Sequence, residues 1–291
     1  MQDFDLKPAL IELIRRSSTD FCSEWETAVR DASQKEEPSS GARVALDTIL
    51  ENIVLARKSS VPICQDTGFL NFFVDYPFGE RESDYAEAIT KAVIEATKKQ
   101  YLRPNSVDVL TGKNSGDNTG LNAPILTFHQ WNNNYTRIRL IQKGGGCENC
   151  STQYKLPDIT LGAGRDLNGV RKVVIDTALK AQGQGCAPGI IGVAIGSDRA
   201  SGMKRAKEQL FRKPGERSVE PALAEFEQRL LKDINELGIG PMGFGGKTTA
   251  LEVFVSAMHR HPATYYVSVA YSCWAYRNGS MTIKGNEVVY D

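Results

Sequence analysis

Val61-Pro62-Ile63-Cys64-Gln65-Asp66-Thr67-Gly68-Phe69-Leu70-Asn71-Phe72-Phe73-Val74 decides how the rest of the chain is read. Its first half places a thiol, an amide, a carboxylate, a hydroxyl and a glycine at consecutive positions, Cys64 to Gly68. Its second half, from Phe69 to Val74, is an apolar run that reads as a strand. Reactive side chains at the lip of a strand are poor core material and good site material. Two more cysteines stand in comparable surroundings. Cys186 lies in the turn Gln184-Gly185-Cys186-Ala187-Pro188-Gly189, and Cys273 lies at the end of a predicted strand. Cys64, Cys186 and Cys273 are expected to meet in space.

Bulk properties bound the rest. The chain has 291 residues, 41% of them apolar, with 35 basic residues cancelling 35 acidic ones. No basic patch points to nucleic acid. No run of about 18 apolar residues predicts a membrane span. Met1 to Lys7 carry Asp3 and Asp5 and lack an apolar leader core. Six cysteines in a chain of this length do not form a secreted disulfide framework. A reducing, cytoplasmic setting is expected, where cysteines bind metal or do chemistry.

Working outward from residues 61–74, helices are predicted over 4–32, 42–57, 82–101, 165–182, 198–212 and 219–236. Strands are predicted at 124–129, 135–142, 190–195, 251–257 and 264–271, with a closing hairpin at 280–283 and 286–290. No repeat and no low-complexity linker interrupts them. The expected fold class is therefore α/β, one mixed sheet with flanking helices, and one domain spanning residues 1–291.

Three thiolates suit a [4Fe–4S] cluster with one iron lacking a protein ligand, since electron-transfer clusters usually take four cysteines. The competing reading is three inert buried thiols. Cys147 and Cys150 form a C-x-x-C that could bind zinc or run redox chemistry, without a second C-x-x-C to complete it. Cys22 reads as helix core. His261 precedes a strand, twelve residues before Cys273, which places it at the opposite end from that thiol. Gly238-Ile239-Gly240-Pro241-Met242-Gly243 matches a dinucleotide fingerprint by letters, but it follows a helix and precedes a strand, the reverse of the required order. Gly246-Lys247-Thr248 lacks the first glycine of a phosphate loop; it remains a possible cradle for a carboxylate.

Taken together, Cys64-Gln65-Asp66-Thr67-Gly68, Lys143-Gly144-Gly145-Gly146, Gly185-Cys186-Ala187-Pro188 and the run Gly238 to Thr249 resemble the iron–sulfur (class I) fumarate hydratases and the related L(+)-tartrate dehydratases. The likeness is to the α subunit, equivalent to the N-terminal half of the one-chain form, and covers nearly the whole chain. Asn114-Ser115-Gly116-Asp117-Asn118 also looks like a family motif. The resemblance implies an α-subunit fold and a hydro-lyase that reversibly hydrates fumarate to (S)-malate. Tartrate dehydration to oxaloacetate is the runner-up, and a non-catalytic iron–sulfur sensor is the alternative from another class. It implies Cys64, Cys186 and Cys273 as cluster ligands, and Asp66 and His261 as acid–base residues. It implies Gln65, Arg103, Gly145 and Gly146 as contacts to a small dicarboxylate. It also implies a β subunit in an α₂β₂-type assembly, with no nucleic acid and no membrane. Three departures stand out. Cys147 and Cys150 occupy positions where the family has Ser and Lys, and Ala187 replaces a proline. Cys273-Trp274-Ala275-Tyr276-Arg277 looks more like the tartrate dehydratases, whereas Gly238 to Thr249 looks more like the two-subunit fumarases.

Overall fold

The computed structural model describes residues 5–291. The leader reading and the start of the first predicted helix, where they fall on residues 1–4, lie outside them. The elements run α1 (Leu6–Thr19), α2 (Ser23–Lys35), α3 (Gly41–Ser59), β1 (Phe69–Pro77), α4 (Glu82–Lys98), β2 (Ile125–Trp131), β3 (Thr136–Lys143), α5 (Gly145–Cys150) and β4 (Thr152–Lys155). They continue α6 (Leu167–Ala181), β5 (Gly189–Ile195), α7 (Arg199–Gln209), α8 (Pro221–Asn235), β6 (Ala250–Ala257), β7 (Tyr266–Ser272), β8 (Asn278–Lys284) and β9 (Glu287–Tyr290).

The class is mixed α/β with flanking helices, as expected, but the strands form two mixed sheets and not one. Apolar periodicity marks strands without saying which strand pairs with which, so the second sheet was not legible. Contacts divide the chain into two compact units: residues up to Phe21 with Asn52–Gly145 and Arg277–Asp291, and Cys22–Glu51 with Gly146–Tyr276.

The first unit carries the sheet β2-β1-β3-β8-β9. β1 is an interior strand buried along nearly its whole length, parallel to β2 and antiparallel to β3. That explains why Phe69 to Val74 reads as a continuous apolar run and not as an alternation. Leu6, Leu10, Leu13 and Ile14 of α1 and Tyr85, Ile89, Ala92 and Val93 of α4 pack with Phe72, Leu140 and Met281 in one core.

The second unit carries the sheet β4-β7-β5-β6. β5, Gly189 to Ile195, is buried at every position, between parallel β6 and antiparallel β7. Val170, Val173 and Val174 of α6 and Phe226, Leu230 and Ile234 of α8 cover this sheet.

Local differences from the predicted elements have local causes. The helix predicted over 4–32 breaks at Asp20, whose carboxylate takes Arg15 Nη2 at 3.1 Å. Cys22 is the extended residue that opens α2, not helix core, and its thiol donates to Glu24 at 2.9 Å. Burial pushes the Cys22 thiol up, and the Glu24 carboxylate pushes the same way. α5 was hidden by its glycines, which have low helix propensity. Among the described residues, no helix is long and apolar enough to cross a membrane.

Candidate active site

In the first unit the structure brings together Gln65, Asp66, Arg103 and Gly145. The segment before β1 is anchored from both sides: Ile63 N–H donates to Ser18 O at 2.9 Å, and Asn52 Nδ2 donates to Ile63 O at 2.8 Å. Asp66 then accepts the Gly68 amide on Oδ1 at 3.0 Å and the Gly145 amide on Oδ2 at 2.8 Å. One carboxylate thus ties the residues before β1 to the glycines after β3. Pairing makes this possible, because Phe69 lies opposite Lys143 in the β1–β3 register.

Arg103 is held to the same place through buried polar groups. The fully buried Thr67 Oγ1 accepts Arg103 N–H at 3.0 Å and Asn105 Nδ2 at 3.1 Å. Asn118, also buried, accepts Asn105 N–H at 2.7 Å and donates to Arg103 O at 2.9 Å. The guanidinium of Arg103 stays exposed, with Nη1 3.4 Å from Gln65 O. Thr67, Asn105 and Asn118 are positioning residues that sequence reading did not assign. The available signal was the polar loop 111–120, too long and hydrophilic to be idle.

Gly144 completes this constellation. A Cβ at Gly144 would lie 2.9 Å from Asp66 Oδ2 and 3.2 Å from Arg277 Nη2. Only glycine leaves that space open.

The second unit holds Cys186, Cys273 and His261. Cys186 takes a left-handed backbone conformation after the turn Gln182–Gly185, with φ 50° and ψ 59°, which few non-glycine residues adopt. Its carbonyl accepts Trp274 N–H at 3.2 Å, linking the turn to the residue after Cys273. The buried Tyr271 ring lies against Gly185 and Gly189. Burial pushes the Tyr271 hydroxyl well up, and the sulfurs of Cys273, Cys147, Cys150 and Cys186 act in the same direction. Ser151 fastens α5 there, its Oγ donating to Cys147 O and accepting Tyr271 N–H. Gly146 abuts the carbonyl of Gln184, beside the Cys186 turn.

His261 is placed elsewhere. Cys186 precedes the Gly189 end of β5 and Cys273 follows the Ser272 end of β7, which pairs with Ile190. The other end of β5 is where Ser197 N–H donates to His259 O. Six strand steps between those ends span about 20 Å. His261 is exposed and lines a cavity of about 780 Å³ with Arg199, His259 and Arg260. Its Nδ1 accepts the Ala263 amide at 3.1 Å, which leaves the ring proton on Nε2.

The proposed carboxylate cradle is filled from within. Lys247 and Thr248 amides donate to the buried Glu36 carboxylate at 2.9 Å each, and Lys247 Nζ pairs with Glu37 at 2.6 Å. The dinucleotide fingerprint is excluded by its context, since residues 238–243 lie between α8 and β6.

The three thiols fit a cluster by donor chemistry, and no disulfide engages any of the six cysteines. Among the described residues, no three His, Cys, Asp or Glu side chains form a ready metal-holding group.

A sequence profile of the fumarate hydratase (fumerase) family matches residues 8–282. The chain belongs to the fumarate hydratase family. A protein named for class I fumarate hydratase in Geobacillus stearothermophilus is 47% identical over 284 residues, covering 97% of this chain and 55% of that protein. A protein named for the α subunit of L(+)-tartrate dehydratase in Methanocaldococcus jannaschii is 34% identical, covering 96% of this chain and 98% of its own. The L(+)-tartrate dehydratase α subunit of Escherichia coli K12 is 33% identical over 255 residues, covering 85% of this chain and 80% of its own. The chain thus spans little more than half of the fumarate hydratase relative and most of the tartrate dehydratase relatives. The family match bears out the resemblance read from the Cys64, Lys143, Cys186 and Gly238 segments.

Proposed function

We propose that this chain is the α subunit of an iron–sulfur hydro-lyase that hydrates fumarate to (S)-malate. The observation that carries the reading is the Asp66 carboxylate, half-buried between the Gly68 and Gly145 amides with Arg103 alongside. Cys64, Cys186 and Cys273 would hold a [4Fe–4S] cluster, which supplies a Lewis-acidic iron for the oxygen added to or removed from substrate. Asp66 moves a proton at the substrate carbon or oxygen, as a carboxyl group fixed by two amide donors is equipped to do. The exposed Arg103 guanidinium binds one substrate carboxylate, and Gln65, whose carbonyl accepts from it, lines the same site; Gly146 is a substrate contact on the family resemblance. The Gly145 amide is already occupied by Asp66, so its contribution is to orient that carboxylate.

His261 lies one strand length from the two thiols of its own unit. We therefore assign it to the site of another subunit, where its Nε2–H donates to substrate. This supports an α₂β₂-type assembly, in which the β subunit brings further contacts for the second carboxylate. A cytoplasmic setting follows for an oxygen-sensitive cluster. Tartrate is the second reading, because the two relatives of which this chain spans most of the length are named for L(+)-tartrate dehydratase α subunits.

The test is turnover by the chain co-expressed with its partner subunit and purified without oxygen. Loss of fumarate absorbance with appearance of (S)-malate supports the reading, and oxaloacetate from tartrate selects the second. Full turnover by this chain alone contradicts the two-subunit assignment.

A further inference from the structure

Arg277 is four residues past Cys273 and only 3% exposed. Its Nε and Nη1 are both buried without a hydrogen-bond partner. Leaving charged donors buried and unsatisfied is costly, and folded proteins keep such groups chiefly where something else completes them. The backbone around Arg277 is fixed, since its carbonyl accepts Gln142 N–H at 2.9 Å. The third nitrogen, Nη2, borders the space that the missing Gly144 side chain leaves open, with Asp66 Oδ2 on the other side. No hydrogen bond joins Arg277 to Asp66, whose oxygens accept the Gly68 and Gly145 amides, so the Nε and Nη1 donors are left for another acceptor.

We infer that Arg277 is an anion-binding residue of the Asp66 site, and that it receives one carboxylate of the dicarboxylate substrate over Gly144. The inference rests on the hydro-lyase reading and adds a second cation to it. Arg103 is exposed and can adapt, whereas Arg277 is rigid and desolvated. A charge-assisted bond to a buried guanidinium is stronger than one to an exposed group. A carboxylate held there would sit beside the Asp66 oxygen, so the atom to be protonated or deprotonated is presented to the acid–base group. Any side chain at residue 144 would fill this subsite, which accounts for the glycine.

The experiment uses the chain assembled with its partner subunit and purified without oxygen. Calorimetric affinities are measured for succinate, a non-reacting dicarboxylate, and for butyrate, its monocarboxylate counterpart. Wild type, Arg277→Gln and Arg277→Lys are compared, with circular dichroism and melting temperature as fold controls. The expected result is a loss of tenfold or more in succinate affinity for Arg277→Gln, with the succinate-over-butyrate preference reduced by a similar factor. Arg277→Lys, which keeps the charge, is expected to fall between. A purely structural arginine would lower the melting temperature and leave the preference unchanged. If Arg277→Gln fails to assemble, the lysine variant decides. Succinate binding within twofold of wild type in a folded variant overturns the inference alone. A wild-type assembly that binds no dicarboxylate overturns the substrate reading and the inference with it.

Discussion

Two glycine-rich stretches each wrap a carboxylate, and they do so to different ends. In the second unit the segment 246–248 closes on Glu36, 4% exposed, whose oxygens take the Lys247 and Thr248 amides. In the first unit Lys143 to Gly145 meets Asp66, which is half-buried and beside a guanidinium with two unpartnered nitrogens. Both glycines make room: a Cβ at Gly246 would lie 2.7 Å from Glu36 Oε2, and one at Gly144 would lie 2.9 Å from Asp66 Oδ2. The difference is completeness. Glu36 is enclosed by donors from its own chain, so nothing remains to bind. Asp66 stands beside Arg277 nitrogens that no group among the described residues takes as donors. Glycine-rich sequence alone does not separate a lock from a site; the tally of satisfied polar groups does.

The largest expected effect tests the open carboxylate. Asp66→Asn in the assembled enzyme should lower kcat by about 10²–10⁴-fold, the range for loss of a positioned acid–base group, while stability falls by only about 1 kcal/mol, since one of its two amide bonds is kept. Steady-state rates with parallel urea melts check both halves. The converse applies to the closed carboxylate. Glu36→Ala should destabilise the chain by about 3 kcal/mol, because two buried amides lose their acceptor; equilibrium urea unfolding measures it. Comparable stability losses from Asp66→Asn and Glu36→Ala would erase the distinction between the two sites.

Thr67→Val sharpens the contrast within the first unit. Its hydroxyl accepts from both Arg103 and Asn105. Its removal should cost about 2 kcal/mol of stability and raise KM more than it lowers kcat, since Arg103 is displaced and Asp66 is not. The smallest effect belongs to Lys247→Met. The Lys247–Glu37 pair is exposed, so melting temperature and KM should both stay at wild-type values. A marked rise in KM would return Lys247 to the substrate site and undo the assignment of its cradle to Glu36.

Much of this was legible in the sequence, for physical reasons. β1 declared itself because a strand buried on both faces is apolar throughout, and residues 64–68 declared themselves because polar, reactive groups rarely crowd a strand end without a task. Asp66, Gln65 and Arg103 were assigned by resemblance, and the structure places them together. The Thr67–Asn105–Asn118 network was not legible, because hydroxyls and amides that serve as internal fasteners look like any polar loop. The role of Glu36 was equally hidden: nothing in Glu36-Glu37 says that one carboxylate is buried under residues 247–248 and the other exposed. His261 lies at the other end of the β5–β7 pair from Cys273, in keeping with their twelve-residue separation. The Cys147–Cys150 pair, zinc-like by spacing, lies on α5, which Ser151 fastens to the backbone of Tyr271.

The most direct test of the central claim is low-temperature EPR of the reduced α–β assembly, prepared without oxygen, with and without fumarate, malate or tartrate. The account predicts a [4Fe–4S] signal that shifts with one of these acids and is lost in Cys64→Ser, Cys186→Ser and Cys273→Ser, but kept in Cys150→Ser. A cluster signal indifferent to all three acids, or no iron signal with zinc in the preparation, would contradict it.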